Sequence, residues 1–280
     1  MQTTIPHVDD DWNVGRFSLL ADELRAAGHD VTTRDRDDAG RDDPVLSALD
    51  TSDFDQLWLI AVDIGDGLSD ADAAGIVRFR DRGDGVMTAR DHQDLAASLQ
   101  HLGSNGQLNH FNTLNPDPDA TRDDQDNPNI APPNFHSGAN GNYQPVFAHE
   151  PVHELLQTSK TPSGRVEWFP AHPHEGCVAV PAGFPFATAL AQGRSEVTGK
   201  RFNLAVVVDG ERTRDGQPMG RAVAASTFHH FADYNWNIDA GAPSFVTDHP
   251  GNEIKQDPSR LEVFKDYVSN IARWLTPGRP

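Results

Sequence analysis

Leu57-Trp58-Leu59-Ile60-Ala61-Val62 is an unbroken apolar run set between acidic residues, and Val86-Met87-Thr88-Ala89 is a second, shorter run of the same kind. Apolar runs of this length read as strands covered on both faces, the kind found in parallel sheets. Between them, Ser69-Asp70-Ala71-Asp72 is a variant capping box that opens a helix with Ala73, Ile76, Val77 and Phe79 facing inward, and Gly83 stops it. A strand, a helix and a strand in this order predict parallel pairing with a right-handed crossover. The expected class is α/β, with three layers and a mostly parallel central sheet.

The pattern extends in both directions. Upstream, Asn13 can cap a helix carrying Val14, Phe17, Leu20 and Leu24, which Gly28 can end, and a short strand follows near Val31 to Arg34. The opening Gln2-Thr3-Thr4-Ile5 is polar for a first strand. Either that strand is short and polar, or the start given is internal to a longer chain. Downstream, a second helix is expected over Asp91 to Leu102, ending at Gly103. Asn203 to Val208 and Arg221 to Phe228 read as a late antiparallel hairpin, and Leu261, Phe264, Val268, Ile271 and Leu275 place a final helix over Ser259 to Leu275. Residues 1–280 are read as one domain.

Residues 104–180 break the alternation and form a long, loop-rich insertion, with Pro116, Pro118, Pro128, Pro132 and Pro133 in its first part. Long irregular segments in compact domains are often ligand walls or lids, so the insertion is expected to form part of a site. Asp117, Asp119, Asp123, Asp124 and Asp126 lack the glycine and terminal glutamate of a calcium loop. A solvated acidic loop is the preferred reading of them.

The formal charge is −19, from 23 Lys and Arg against 42 Asp and Glu, and Lys160, Lys200, Lys255 and Lys265 are the only lysines. Such a chain is poorly suited to nucleic acid or to anionic membrane, which recruit basic groups. The excess of Asp fits a salt-adapted cytoplasm or a GC-rich genome equally. No apolar run reaches the roughly 20 residues that span a bilayer. Cys177 is the only cysteine, which excludes an intrachain disulfide and a Cys-rich zinc site and fits a reducing cytoplasm.

Histidine carries the chemistry. Five of the 13 histidines fall in three polar runs, around His136, His172-Pro173-His174-Glu175 and His229-His230. Imidazole binds metals and exchanges protons near neutrality, and the neighbouring Gly, Asn and Asp expose backbone and polar groups to a ligand. Ligands in parallel sheets bind beyond the carboxyl ends of the strands. Arg90-Asp91-His92 and His229-His230 both follow such ends, and Asp9, Asp10 and Asp11 would follow the first strand in the same way. The alternative for His92 is a local hydrogen bond at a helix start. His172 and His174 share a side of any extended segment, and with Glu175 nearby they suit Zn, Mn or Fe(II). Pro173 shaping a plain turn is the competing reading. The segment from His136 through Asn140 to Tyr143 could present amides and hydroxyls to a sugar or carboxylate, or be a glycine-rich turn. Trp236 offers aromatic surface for stacking or for core.

Asp55-Gln-Leu-Trp-Leu-Ile-Ala61, the helix opening at Leu68-Ser69, Gly85-Val-Met-Thr-Ala-Arg-Asp-His92, the late strand into Phe228-His229-His230, and Ile271-Ala-Arg-Trp274 together resemble the ThuA-like (trehalose-utilisation) proteins of the class I glutamine amidotransferase-like superfamily. The resemblance covers residues 14–103 and 200–276 and implies a flavodoxin-like fold and a link to sugar metabolism. Amidotransferases place a cysteine on the turn after the strand matched here by Val86 to Ala89, whereas this chain has Arg90, Asp91 and His92 there. Thiolate glutamine hydrolysis is therefore not expected. One of His229 and His230 matches the family's late histidine, with Asp233 in place of its glutamate partner.

Two mechanisms and one rival follow. In the first, His92 and His229 or His230 exchange protons with a small carbohydrate-derived substrate, Asp91 or Asp233 orients a ring, and Arg90 receives negative charge. In the second, His172, His174 and His229 hold a divalent metal and Glu175 activates water, as in a metal-dependent hydrolase. The rival is a non-catalytic sugar or small-ligand binder on the same scaffold. The sequence leaves open whether the chain forms a homo-oligomer.

Overall fold

The computed structural model describes residues 1–7, 12–119, 123–124, 129–244 and 246–278. Asp9, Asp10, Asp11 and Asp126 lie outside the described residues. The central sheet has eight strands: β1 (Gln2–Pro6), β2 (Arg34–Arg36), β3 (Gln56–Ile60), β4 (Gly85–Ala89), β5 (Phe147–Ala148), β6 (Ala187–Arg194), β7 (Arg201–Val208) and β8 (Ala222–Ala225). Their spatial order is β2-β1-β3-β4-β8-β7-β6-β5. The first five in that order pair in parallel, and the last three add antiparallel pairs. The parallel block has the 2-1-3-4-5 order of doubly wound flavodoxin-like sheets. The β7–β8 pair is the antiparallel hairpin that the sequence indicates.

Alternation along the strands sorts the core into layers. Trp58 and Ile60 of β3 and Met87 of β4 face one side, where Phe17, Leu20 and Leu24 meet Phe264 and Tyr267. These belong to the Val14–Phe17 turn, α1 (Ser18–Ala26) and α3 (Ser259–Leu275). Leu57, Leu59 and Val86 face the other side, against Ile76 and Phe79 of α2 (Asp70–Asp81). A strand buried on both faces needs apolar residues at every position, which is why the run at Leu57 has no polar partner set. Asn13 accepts from the Gly15 amide, and the Ser69–Asp72 capping box closes reciprocally.

β1 is short and polar, with Gln2, Thr3 and Thr4 buried. Its hydroxyls are used: Thr4 Oγ1 donates to Asp63 and accepts from the Val62 amide, while Thr3 Oγ1 donates to Asp35. β2 begins at Arg34, at the end of the stretch expected for it. The helix expected over Asp91 to Leu102 does not form; a 3-10 turn over Ala97–His101 takes up part of its second half. Gln93 and Ala96 hold left-handed backbone at φ of 50° and 65°, which interrupts any helical run. The carbonyls and amides there have other partners, the Gln93 carbonyl taking the Arg90 guanidinium and the Ala96 amide giving to the Asp63 carbonyl.

The insertion is ordered by small strands and buried carboxylates. Asn109–His110 pairs with Cys177–Val178, and Tyr143–Pro145 pairs with Trp168–Pro170. Asp123 and Asp124 are buried, contrary to a fully solvated loop. Asp124 accepts from Ser195 Oγ at 2.7 Å, Thr198 Oγ1 at 2.9 Å and the His136 amide at 2.7 Å, so it pins the insertion to the β6–β7 turn. No described helix is long and apolar enough to cross a membrane.

Candidate functional site

Three segments meet beyond the carboxyl ends of β4 and β8. Asp91 leaves β4, Thr227 to His230 leave β8, and a strap from Ala171 to Gly176 of the insertion crosses both, held by a bridge between Phe135 and Glu175. Gly176 allows this close crossing, because a Cβ there would stand 2.3 Å from the Asp91 carbonyl oxygen and 2.7 Å from that of Ser226.

The strap brings His172 onto His229, their rings stacked with centroids 3.4 Å apart. Both face Asp91, with His172 Nε2 at 3.6 Å from Oδ1 and His229 Nε2 at 3.5 Å from Oδ2. Asp91, His172 and His229 each offer one ligand atom, all within 4.8 Å of one another, and all three residues are buried. His172 Nδ1 lies 2.8 Å from Asn140 Oδ1, so it donates there and leaves a lone pair on Nε2, which has no hydrogen-bond partner. That lone pair looks at a carboxylate oxygen. Two electron-rich atoms facing each other without a shared proton are stabilised by a cation between them. Thr227 Oγ1 donates to Asp91 Oδ1 at 3.0 Å, and Trp12 stands edge-on to His229 at 4.7 Å.

The electrostatics agree with metal-ready ligands. Burial, reinforced by the neighbouring His229, drives His172 well below the ordinary histidine value, and burial also lowers His229. Burial alone would raise Asp91, but His92, His229 and His172 around it outweigh that and hold the carboxyl well below its usual range. Neutral imidazoles beside a carboxylate are the protonation states that metal binding requires.

A histidine lowered in the fold takes up protons preferentially in the unfolded chain, so its contribution is whole above the unfolded pKa of about 6.5 and is lost as pH falls below it. The lowered Asp91 adds a second loss at more acid pH, below its ordinary value of 3.8. The metal-free protein should lose up to about 1.4 kcal/mol per pH unit for each histidine on acidification from pH 6.5. Urea midpoints that stay constant from pH 7.5 to 5.5 would contradict this.

His92 and His174 form the rim. His92 Nδ1 is 3.0 Å from Asp91 Oδ2, with its ring 5.7 Å from that of His174. Their side chains keep 16% and 14% of their surface, against 4% and 5% for His172 and His229, so they are the histidines a solute meets first. His174 is held by Asn134 and faces Asp248 at 3.7 Å.

Other expected site residues sit elsewhere. Glu175 and His230 are wholly buried and face each other, Glu175 Oε2 lying 3.2 Å from His230 Nε2. Glu175 is therefore committed away from the His172–His229 pair and is not placed to activate a water there. Asp233 accepts from the Ser18 and Leu19 amides at 3.1 and 2.8 Å and caps α1, so it orients neither His229 nor His230. Asp233→Ala should cost about 2 kcal/mol, as helix caps do at their upper range, and leave metal affinity unchanged. Urea unfolding and a metal titration check both halves. Arg90 is fully buried over the Phe111 ring, 4.1 Å from its centroid, and burial lowers it to about 10. It donates to the Gln93 and Cys177 carbonyls, and its full burial keeps it from the surface where a solute would meet the histidines. Tyr143 donates to the Asp257 carbonyl, and Trp236 donates to the His230 carbonyl while packing on Phe264. His136 is partly buried, its amide bound to Asp124. Asn140 reaches the site by orienting His172.

Thr227, Trp12 and Asp248 were not legible as site residues. A hydroxyl directly after the apolar β8 was the available signal for Thr227, whereas nothing local marks the other two. Two clefts, of about 760 and 980 Å³, open at the opposite edge, one beside Met1, Gln56 and Trp58 and one beside Gly83, Asp84 and Gly220. They lie at the amino ends of the strands, away from the clustered histidines.

No protein-family model and no curated protein matches this sequence. Solved structures resemble it. The N-terminal domain of mmIFT52 aligns with a TM-score of 0.48 at 11% identity, covering 96% of each chain. A cytoplasmic protein of Salmonella typhimurium aligns at 0.46 and 9% identity, over 92% of this chain and 86% of its own. A protein of Parabacteroides merdae described as ThuA-like aligns at 0.46 and 12% identity, over 90% of this chain and 94% of its own.

Proposed function

We propose that this chain is a metal-dependent enzyme acting on a small polar substrate, with Asp91, His172 and His229 as the ligands of a divalent ion. One observation carries the reading: His172 Nε2, oriented by Asn140 and without a partner, confronts the Asp91 carboxylate in a buried trio whose third member is His229. Two imidazoles and a carboxylate suit Zn, Mn or Fe(II). Three protein ligands leave coordination positions open, which is the mark of catalytic rather than structural sites.

When bound, such an ion supplies an acidified water or polarises a substrate oxygen. The chain's own groups do the rest. Asn140 and Thr227 fix the ligands' orientation, and Trp12 and Phe228 pack on the His229 ring and limit water around it. His92, beside Asp91, and His174 at the rim exchange protons with the substrate. The resemblance to ThuA-like proteins supports a carbohydrate-derived substrate, and the site residues by themselves indicate a small polar one.

Metal analysis of protein purified without chelator or affinity tag tests this. About one ion per chain is expected, lost in His172→Ala and His229→Ala; a metal-free wild type that also fails to take up Zn, Mn or Fe(II) would overturn it. Turnover of sugars and keto sugars followed by NMR separates an enzyme from a binder. Saturable binding without product would favour the binder.

A further inference from the structure

Beside the ligand trio lies a second polar cluster that the proposed chemistry does not use. Glu175 has no solvent exposure, and its carboxylate accepts from Ser137 Oγ at 2.5 Å and Ser226 Oγ at 2.9 Å, contacts the Gln144 amide, and faces His230 Nε2 at 3.2 Å. A buried carboxylate with this many partners is costly to assemble, and every partner belongs to a segment that shapes the site.

The connections run to both histidine ligands. Ser137 Oγ, besides donating to Glu175, meets the backbone of His172 on both sides, its carbonyl at 3.1 Å and its amide at 3.0 Å. His230 is the residue after His229. Glu175 itself is three residues beyond His172 on the strap, and Gly176 presses that strap onto the ends of β4 and β8. The contact between Glu175 and His230 thus joins the insertion, which carries one ligand, to the β8 end, which carries the other.

We infer that Glu175 is a positioning residue: with His230 and Ser137 it latches the strap to the β8 end and sets the spacing of His172 and His229 for the metal. This rests on the metal reading above. The latch explains why two adjacent histidines diverge, His229 turning to Asp91 and His230 to Glu175. It also explains a fully buried glutamate that touches no ligand atom. Groups that orient metal ligands in this way typically control affinity by 10- to 100-fold.

The test uses the whole chain. Glu175→Gln keeps the shape and replaces one acceptor oxygen by a donor, facing Ser137, Ser226, Gln144 and His230, which need acceptors. Zn(II) affinity by competition with a chromophoric chelator should fall about 10- to 100-fold, and the visible spectrum of the Co(II)-substituted protein should change in intensity and position. General destabilisation would lower the melting temperature of the folded fraction without altering that spectrum. If Glu175→Gln does not fold, Ser137→Ala removes the hydroxyl that joins Glu175 to the His172 backbone, leaves the Glu175 contacts with Ser226 and His230 in place, and should weaken Zn(II) about tenfold. A wild type that binds metal beside variants with unchanged affinity and an unchanged Co(II) spectrum overturns the latch alone. A wild type that binds no Zn(II) or Co(II) overturns the metal reading and, with it, the latch.

Discussion

A His172→Ala chain will bind its metal at least about a hundredfold more weakly than the wild type. Structural zinc sites of four ligands are worth about 10–16 kcal/mol, or roughly 3 kcal/mol per ligand, and each 1.4 kcal/mol is tenfold in affinity. The acid sensitivity of the metal-free chain should change as well. His172 is a neutral ring whose Nε2 is unpartnered against a carboxylate, stacked at 3.4 Å on a second imidazole. Removing it relieves part of that unfavourable arrangement, at the cost of the packing it supplied. Metal-free His172→Ala should therefore be less sensitive to acid between pH 6.5 and 5.5 than the metal-free wild type, because one buried neutral histidine is gone. Equal affinity in wild type and variant, by titration of the chelator-stripped proteins, would remove His172 from the centre.

Gly176→Ala should be the most damaging single methyl in the site. The three nearest atoms to its Cβ would be backbone: Asp91 carbonyl oxygen at 2.3 Å, Ser226 carbonyl oxygen at 2.7 Å and Asp91 carbonyl carbon at 2.9 Å. Neither strand end can retreat easily, since the Phe228 amide donates to the Arg90 carbonyl at 2.6 Å and β4 and β8 are paired through Ala89 and Ala225. The strap must lift instead. Overpacking of this kind costs about 1–3 kcal/mol, and rigid backbone on every side places Gly176 at the upper end. Lifting the strap also draws His172 from Asp91, so metal affinity should fall together with stability. Gly278→Ala, with open space around its Cβ, is the control and should change neither. Urea unfolding of the three proteins with and without metal reads both effects; a wild-type midpoint in Gly176→Ala would mean that the strap lies elsewhere.

The layered fold could be read from the chain because each of its determinants is local. The apolar runs at Leu57 and Val86, the Ser69 capping box and the stripe from Leu261 to Leu275 each declare their element within a few residues, and all four form where they are expected. Asp91 to Leu102 misled because its polar and apolar spacing is helical, while tertiary hydrogen bonds to Asp63 and Arg90 and two left-handed residues set its path. β6, rich in Ala and carrying Gln192 and Gly193, shows little strand propensity and is defined by its long pairing with β7.

The site divides in the same way. Strand-end reasoning singled out Asp91, His92 and His229, and two-residue spacing singled out His172 and His174; the fold brings these five together. Which histidine faces which carboxylate depends on how an insertion folds back over two strands, and that is a non-local fact. Glu175 and Asp233 illustrate the difficulty: one follows His174 directly and the other lies three residues after His230, yet Glu175 is held by Ser137, Ser226 and His230 and Asp233 caps a helix more than 200 residues away. Chain proximity suggested partners that the fold assigns otherwise.

Whether Asp91, His172 and His229 together hold one ion, as proposed, is decided by anomalous diffraction from a crystal soaked in Mn(II) or Zn(II). One strong anomalous peak is expected about 2.0–2.3 Å from an Asp91 carboxylate oxygen and from the Nε2 atoms of His172 and His229. A fully soaked crystal with no peak among these three residues, or with its strongest peak in the acidic stretch around Asp117 and Asp119, would contradict it.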